Sequence, residues 1–315
     1  MKIKNSLTIL SAIVVLVGAV AALTFGPVVS ATHFSEWAAP VSVESIPGAS
    51  AELNTAFTDS CAVESPDGLS LYISSNRPGG FGGLDIWVSR RADSDGSFGA
   101  PENLGASINT AANEFCPAPV RGDRLYFNSN RAGGCGNLDL YSTRFHKDEW
   151  TEPENLGCDI NSSASDGYPA YFEDDEGNAY LFFSSNRTGG FEPGGSDVDI
   201  YFSLNGAAPQ LAPGLNTASN DLRLSVRKDG REVFFDSDRA GGLGGNDIWT
   251  ATRESVTDDW LAPVHPDAPV NSPANDIRPM LSWDGLTMYF ESTRPGGEGL
   301  SDNYLTTREK LKGSE

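Results

Sequence analysis

Residues 71–91 read LYISSNRPGGFGGLDIWVSRR, and the same pattern recurs four more times along the chain. The later copies begin at Leu125, Leu181, Val233 and Met288. Every copy holds an Arg, a Gly pair two residues after it, and an Asp before the next apolar run. The arginines are Arg77, Arg131, Arg187, Arg239 and Arg294, and the aspartates are Asp85, Asp139, Asp199, Asp247 and Asp302. A period of 52 to 56 residues indicates a repeat architecture built from one supersecondary unit.

Two further markers complete the period. An Asn with an acid five places later precedes each copy, and the acids are Asp59, Glu114, Asp166, Asp221 and Asp276. A step of the form aromatic-x-x-Pro follows most copies, as in Phe98 to Pro101. Apolar runs bounded by Gly turns predict strands, and Pro suits an outer edge strand because it cannot donate to a ladder. Each period therefore predicts four short strands, which is the blade of a β-propeller.

We predict an all-β protein that forms a single five-bladed β-propeller over residues 32–315. The blade repeats are placed at about 46–97, 98–149, 150–205, 206–259 and 260–310. Trp37 and Pro40 form an outer-strand step ahead of any complete repeat, whereas the last copy ends after its third strand. Residues 32–45 are therefore predicted to close the last blade as its outer strand, which removes the exposed sheet edges.

The pattern S-x-R-x-G-G-x-G-x-x-D-[IL]-[WY] closely resembles the WD40-like β-propeller repeat of the TolB-like family. The resemblance extends over nearly the whole chain after residue 31. It implies a platform for protein or cell-envelope contacts, often in the periplasm. This chain has five copies, whereas TolB itself has six blades, so the partners of that family are not carried over.

The chain is strongly acidic. Its 315 residues carry a net charge of −21, and 39% of them are hydrophobic, which is sufficient for a real core. The mean field repels a phosphate backbone, and no run of Lys or Arg reverses it locally. Nucleic acid is therefore excluded as a partner.

The N-terminal segment reads as an export signal. Lys2 and Lys4 precede an apolar run from Leu7 to Phe25, and small residues lead to Ala31. Residues 1–31 are predicted to be a signal peptide, with an uncleaved anchor as the alternative because the run is nearly long enough to span a bilayer. No other segment is expected to span a membrane after cleavage. The predicted location is the periplasm or the cell exterior.

Four cysteines in an exported chain favour disulfides. Cys61 and Cys116 hold equivalent positions in neighbouring copies, and Cys135 and Cys158 lie in connections on one face. We predict these two pairings among the three that are possible. A metal site is not predicted, because there is no C-x-x-C motif and the histidines are scattered.

The repeated Arg and Asp residues admit two interpretations. In one, the blades carry a ring of charged sites, and calcium is the cofactor that such Gly-Asp turns suggest. In the other, each Arg pairs with an acid of its own blade, and the Gly pair permits a turn with positive φ. We favour the structural role, because a ligand site does not require five copies. No cofactor is predicted, and calcium remains the alternative.

Ligand-binding residues are expected where the copies differ. Seven places past each repeat Asn, on the strand predicted to line the channel, the residues are Cys61, Cys116, Tyr168, Arg223 and Arg278. In an acidic protein, two arginines beside Tyr168 predict a site for an anion or carboxylate. The alternative is that Arg223 and Arg278 neutralise Asp221 and Asp276, two places before them.

The leading interpretation of function is a non-enzymatic binding or scaffold propeller for protein or cell-envelope partners. The main alternative is a five-bladed glycoside hydrolase or lyase, in which paired inner-strand acids act across the channel. A third is a carbohydrate-binding propeller that stacks one glycan per blade on Trp87 and Trp249. No unrepeated acid stands out, so no catalytic residue is assigned and enzyme activity is left undecided.

The third copy carries four extra residues in the segment FEPGGSDV. Extra loop length serves contact or is simply tolerated. We predict that Glu192, Ser196 and Asp197 are exposed to solvent.

Overall fold

The computed structural model describes residues 34–192 and 194–311, so the signal-peptide prediction for residues 1–31 falls outside the described residues. They form five antiparallel sheets and one short 3-10 helix, Val43–Ser45. In chain order the strands are β1 Val41–Ser42, β2 Asp59–Glu64, β3 Ser70–Ser75, β4 Asp85–Arg90, β5 Glu102–Asn103, β6 Glu114–Val120, β7 Arg124–Ser129, β8 Asp139–His146, β9 Glu149–Trp150, β10 Glu154–Asn155, β11 Asp166–Glu173, β12 Ala179–Ser185, β13 Asp199–Leu204, β14 Gln210–Leu211, β15 Asp221–Val226, β16 Glu232–Ser237, β17 Asp247–Thr252, β18 Asp276–Leu281, β19 Thr287–Ser292 and β20 Asp302–Thr307.

The sheets are the five blades of a propeller. Blades one to five contain, from the channel outward, β2–β3–β4–β5, β6–β7–β8–β10, β11–β12–β13–β14, β15–β16–β17 and β18–β19–β20–β1, with β9 added beside β8. The predicted all-β, five-bladed fold is confirmed. Within the described part of the chain, no helix is long and apolar enough to cross a membrane.

The second strand of each blade is buried on both faces because the sheets stack face to face. In β3, Leu71 and Ile73 pack with Tyr289 of blade five. Tyr72 points to the other side and packs with Phe127 of blade two, as the period of two along a strand requires. Five such apolar clusters occur, one between each pair of neighbouring blades. Each fully buried aliphatic or aromatic side chain contributes roughly 1.5–3 kcal/mol to the free energy of folding.

The repeat Asn links each blade to the one before it. Asn109 accepts a hydrogen bond from the Ile86 amide at 2.9 Å and donates one to the Ile86 carbonyl at 2.9 Å. The Asn109 carboxamide thus makes the two hydrogen bonds to Ile86 that a peptide group of an adjacent strand would make. Asn161, Asn216 and Asn271 bind the third strands of blades two, three and four in the same way. Asn54 makes the fifth link, to Asn303 of blade five.

The N-terminal strand completes blade five, as predicted. Val41 pairs with Leu305 and Ser42 pairs with Tyr304. The Ala38 amide donates to the Thr307 carbonyl at 2.8 Å, and the Ser35 amide donates to the Glu309 carbonyl at 2.8 Å. The ring is therefore closed without a covalent bond between its first and last segments.

The outer strands show that sequence repeats and structural blades are out of phase. β5 begins directly after Pro101 and pairs with β4 of the preceding repeat. A boundary at 97 or 98 therefore separates blade one from its own outer strand, because the aromatic-x-x-Pro step belongs to the blade before it. In blade four the outer strand is reduced to a single bridge between Thr250 and Val264.

Candidate functional site in the central channel

Each inner strand carries a β-bulge at the position where the copies differ. The register of the inner strand shifts there in every blade. The backbone φ angles are 53° at Cys61, 50° at Cys116, 59° at Tyr168, 45° at Arg223 and 60° at Arg278. Non-glycine residues rarely adopt this left-handed region, and such strain collects at functional sites. The five residues line a cavity of about 10 Å³ in the channel, which has room for about one water molecule.

A side chain of the preceding blade accepts a hydrogen bond from the bulge amide in four blades. In blade two, the Cys116 amide donates to the Ser74 hydroxyl at 2.9 Å. The amide of Arg223 donates to the Ser184 hydroxyl at 3.0 Å, and that of Arg278 donates to Asp236 Oδ1 at 2.9 Å. The Tyr168 amide donates to Asn128 Oδ1 at 3.0 Å. The bulge residues are therefore fixed by the fold, and their side chains point toward one another.

Both predicted disulfides are confirmed. Cys61–Cys116 joins the inner strands of blades one and two, and it forms part of the channel wall. Cys135–Cys158 joins two loops at the edge of blade two. Two disulfides are typical of proteins from an oxidising compartment.

Arg223 and Arg278 lie in different electrostatic environments. Arg223 is 5% exposed, its guanidinium lies 3.7 Å from the centroid of the Tyr168 ring, and its Nη1 donates to Cys61 Sγ at 3.1 Å. Arg278 instead forms an ion pair with Glu291. Among the ion pairs of the described residues, Arg223 has no carboxylate partner. The structure thus brings the three predicted ligand-binding residues together, but only Arg223 has a charge without a direct partner.

The alternative interpretation of these arginines is wrong. Asp221 pairs with Arg239, and Asp276 pairs with Arg294 at 2.6 Å. Both acids are fully buried at the start of the inner strands. They are neutralised by the repeat arginines and not by the residues two places after them.

Asp236 and Glu291 are channel residues that the sequence did not single out. They stand on the second strands of blades four and five, where blades one to three have Ser74, Asn128 and Ser184. Burial, together with the charge of Glu291, raises the pKa of Asp236 to about 7, against the hydrogen bonds from Arg278 and Asn246, which lower it. The sequence signal that could have identified Asp236 and Glu291 is a carboxylate in two copies at a position where the other three copies have a neutral residue.

We call the face that holds the turns between the second and third strands and the starts of the inner strands the repeat face. The polar residues of this face are used by the fold. The first repeat Arg, Arg77, is paired with Asp59, while the Phe81 amide donates to Asp85 at 2.6 Å. Arg131, Arg187, Arg239 and Arg294 likewise face the acids Glu114, Asp166, Asp221 and Asp276. Asp139, Asp199, Asp247 and Asp302 accept amides of the Gly turns.

These contacts leave no open ring of charged sites on the repeat face. The five inner-strand acids are 0% exposed. A Cβ atom at Gly80 would lie 1.8 Å from Asp85 Oδ2, so the second Gly of the pair provides room for the turn aspartate. Within residues 34–192 and 194–311, no group of three or more His, Cys, Asp or Glu side chains is arranged to hold a metal ion.

The opposite face, where hairpins join the first and second strands, opens into a large cavity. Its volume is about 1080 Å³. Ala118, Ala170, Ser225 and Met280 belong to its lining, and Met280 also lines the small cavity formed by the bulge residues. We call this space the hairpin-face cavity.

The walls of the hairpin-face cavity combine aromatic rings with charges of both signs. Tyr171 and Trp283 are half-buried in it. The guanidinium of Arg121 lies 4.3 Å from the Trp283 ring centroid, and the Tyr171 hydroxyl donates to Glu173 at 3.1 Å. This lining offers apolar faces together with hydrogen-bond donors and acceptors.

Glu64 is a carboxyl of the cavity lining whose pKa is raised. Its side chain is 11% exposed. It accepts hydrogen bonds from the Tyr289 hydroxyl at 2.8 Å and from Arg91 Nη2 at 2.9 Å. Burial raises the pKa of Glu64 above its usual range, against Tyr289 and Arg91, which lower it. A cavity carboxyl of raised pKa is suited to donate a proton.

Trp87 and Trp249 do not provide sugar platforms. Each is 8% exposed. Arg77 lies 5.4 Å from the Trp87 ring centroid and Arg239 lies 5.2 Å from that of Trp249. The interpretation with one glycan per blade on these residues is therefore wrong, because the rings are packed inside the blades.

The insertion of blade three is only partly as predicted. Glu192 and Ser196 are exposed, whereas Asp197 is half-buried. Val198, next to it, pairs with the neighbouring blade through its amide and carbonyl. This contact draws the end of the loop inward.

The sequence matches no protein-family model and no curated protein. Among solved structures, the chain is similar to a thermostable family-43 glycoside hydrolase, with a TM-score of 0.54, 13% identity, and coverage of 85% of this chain and 94% of that chain. It is also similar to the xylan β-1,4-xylosidase of Bacillus halodurans C-125, with a TM-score of 0.52, 13% identity, and coverage of 85% and 55%. A TolB structure from Agrobacterium tumefaciens has a TM-score of 0.47, 13% identity, and coverage of 82% and 91%.

At this level of identity the likeness shows the fold. It also corrects the leading interpretation of the repeats, a non-enzymatic scaffold for protein or cell-envelope partners. Three neighbours with TM-scores above 0.5 are glycoside hydrolases, so that interpretation is not retained. The physical reason is that the repeat motif describes how blades are held together, while ligand chemistry depends on the channel.

Proposed function

We propose that the protein binds and cleaves a glycan in the hairpin-face cavity. The observation that carries this proposal is the cavity, whose volume of about 1080 Å³ is slightly above the roughly 300–1,000 Å³ typical of ligand pockets. Several linked sugar rings fit such a space. The fold likeness to a family-43 glycoside hydrolase and to a xylan β-1,4-xylosidase supports the same substrate class.

The cavity walls have the chemistry that a sugar chain requires. A sugar ring has an apolar face and a rim of hydroxyls. Tyr171 and Trp283 supply rings that are partly open to the cavity, and aromatic rings with a polar edge suit such mixed surfaces. Arg124 and Glu173, which also line it, supply a donor and an acceptor for hydroxyls.

Glu64 is the proposed proton donor to the glycosidic oxygen. Cleavage of a glycosidic bond ordinarily needs one carboxylic acid that is protonated and one carboxylate that is ionised. Burial of Glu64 favours its protonated form. The ionised partner is sought among Glu173, Asp229 and Glu254, which line the same cavity. Burial raises the pKa of Asp229. The two hydrogen bonds from Arg227 and its charge outweigh burial, so the pKa of Asp229 is lowered overall.

The first test is release of oligosaccharides from arabinan, xylan and arabinoxylan by the purified protein. E64Q removes the proton donor and keeps the shape of the side chain, so we expect turnover to fall by about 10²–10⁴-fold, the usual contribution of general acid catalysis. E102Q is the matched control, since Glu102 forms an exposed ion pair with Arg90 on an outer strand. Equal activity of E64Q and E102Q would remove Glu64 from the mechanism.

The pH profile provides a second readout for Glu64. A proton donor works in its protonated form, so the rate should fall as the pH rises through the raised pKa of Glu64. Y289F removes a hydrogen bond that stabilises the carboxylate. We therefore expect Y289F to move this alkaline limb to higher pH while the folded structure persists. An unchanged limb would argue against Glu64 as the titrating group.

The ionised partner can be identified by chemical rescue. In the glycine or alanine variant of a base or nucleophile, azide occupies the vacated space and restores turnover. We expect rescue in one of E173A, D229A and E254A. If the wild-type protein binds the polymers but releases no product, the cavity is a binding site and the cleavage step of the proposal is wrong.

We further propose that Arg223, stacked on Tyr168 next to a space for about one water molecule, attracts an anionic group of the ligand through its positive charge and does not contact that group directly. Arg278 is left out of this role because Glu291 already neutralises it. R223A should weaken binding of an acidic glycan such as polygalacturonate relative to neutral arabinan. The difference should shrink as salt rises through about 0.15 M, where screening acts over roughly 8 Å. Binding that ignores both R223A and salt would contradict this role.

Two further predictions from the sequence, one about export and one about the repeat family, are also proposals. We propose that the chain is exported after removal of residues 1–31, which the two disulfides support. We also propose that its repeats belong with the WD40-like repeats of the TolB-like family. The experiment for the first is N-terminal sequencing of the mature protein, which should begin at Thr32.

A further inference from the structure

We propose that the insertion of blade three binds a divalent cation of the calcium type through Asp197 and Asp199. The insertion lies between Arg187 and Asp199 on the repeat face, so this site is separate from the hairpin-face cavity and does not depend on the glycan proposal. It would give the extra four residues of this copy a function.

The turn aspartate of blade three lacks a contact that its counterparts in blades two, four and five have. In blade two, Asp139 accepts one amide at each carboxylate oxygen, from Cys135 at 2.5 Å and from Gly136 at 3.0 Å. In blade three, Asp199 Oδ2 accepts the Phe191 amide at 2.9 Å. Asp199 Oδ1 is buried without a hydrogen-bond partner, in a side chain that is 1% exposed. Among the described residues, no second amide of the turn reaches Asp199.

Two more buried oxygens without a partner belong to the same segment. They are Asp197 Oδ2 and the Tyr201 hydroxyl, and Tyr201 is 4% exposed. Val198 is held extended by its bonds to the next blade, so Asp197 and Asp199 point to the same side of the chain. Oxygens that are removed from water without a donor cost free energy, and a bound cation with its water would satisfy the two carboxylate oxygens.

The composition of the segment selects the ion. Carboxylate and carbonyl oxygens are the ligands of Ca²⁺, which accepts flexible geometry and completes its shell with water. With two carboxylates, the expected affinity is that of weak extracellular sites, with a Kd of about 10⁻⁴–10⁻³ M.

Blade one shows that the acid pair is specific to the third copy. Asp85 Oδ1 is also buried without a partner. The residue two places before Asp85 is Gly83, however, and the positions equivalent to Asp197 in the other blades are Asn137, Gly245 and Leu300. Only blade three has a carboxylate two places before the turn aspartate.

The experiment is calorimetric titration of the purified, chelator-treated protein with CaCl₂. We expect one bound ion, at least tenfold tighter than Mg²⁺, and a rise of the melting temperature with Ca²⁺ concentration. D197N should weaken binding at least tenfold and abolish the rise. D175N, which removes an exposed acid from a hairpin of the same blade, is the matched control and should bind like the wild type.

Each outcome is informative. No heat and no Ca²⁺-dependent melting shift in the wild-type protein would overturn the proposal whether or not any variant folds. Equal binding by D197N and the wild type would place the ion elsewhere. Loss of binding in D175N as well would show only a general effect of the negative charge, and this too would reject the site.

Discussion

The two faces of the propeller differ in how they use repeated residues. On the repeat face every blade places an Arg on a fully buried acid, and this arrangement serves the fold. Along the channel and in the hairpin-face cavity the blades differ at equivalent positions, so that Ser184 in one blade corresponds to Asp236 in the next. Repetition therefore marks structure in this protein, and divergence between copies marks the candidate chemistry.

The largest expected effect tests the closure of the ring. Removing residues 32–45 takes away the outer strand of blade five and fully buried Val43. We expect cooperative unfolding to be lost, as followed by circular dichroism in urea. Unchanged stability would mean that the fifth blade does not need its first segment.

A pair of arginine variants tests the contrast between the faces. R239A leaves Asp221 buried without its charge partner, and breaking a buried pair costs about 3–5 kcal/mol. R223A removes a guanidinium that has no direct carboxylate partner, so its loss of stability in urea should be smaller while ligand binding falls. Equal losses of stability would remove the distinction between structural and channel arginines.

A pH experiment sharpens the comparison within the channel. Asp236 has a pKa of about 7 in the folded protein, against about 3.9 in an unfolded chain. Its proton therefore stabilises the fold fully below the unfolded pKa, and this contribution is lost as the pH rises through 7. D236N gives blade four the residue that blade two has at Asn128. The stability of D236N should fall less between pH 5 and 8 than that of the wild type.

The smallest expected effect concerns the insertion. Deleting residues 192–195 restores the eight-residue spacing of the other copies. In calcium-free buffer we expect a change in unfolding free energy below about 1 kcal/mol, because shortening a surface loop changes its closure entropy little. A large fall in the melting temperature would show that the loop is packed structure. The same deletion is the control for removal of residues 32–45, because it shortens the chain without taking away a strand.

The sequence predicts the fold of this protein more completely than it predicts the candidate functional site. Five copies of one motif give the number of blades, and the early Trp37 step gives the closure. The cysteine pairing follows from equivalent positions in neighbouring blades. The neutralisation of Arg278 by Glu291 could not be predicted, because it depends on a β-bulge that turns side chains of two strands toward each other. Glu64 is a similar case, since its pKa depends on burial by residues far away in sequence.

The seam between β1 and β20 has a consequence for how the protein is made. Val41 and Leu305 pair across almost the whole chain, and Asn54 binds Asn303 beside them. The final blade cannot form until residue 307 has been synthesised, however early its first strand appears. Contacts so distant in sequence slow folding, so the growing chain passes through a period in which the edges of its completed blades are open. A chaperone that shields strand edges would act on this protein during that interval.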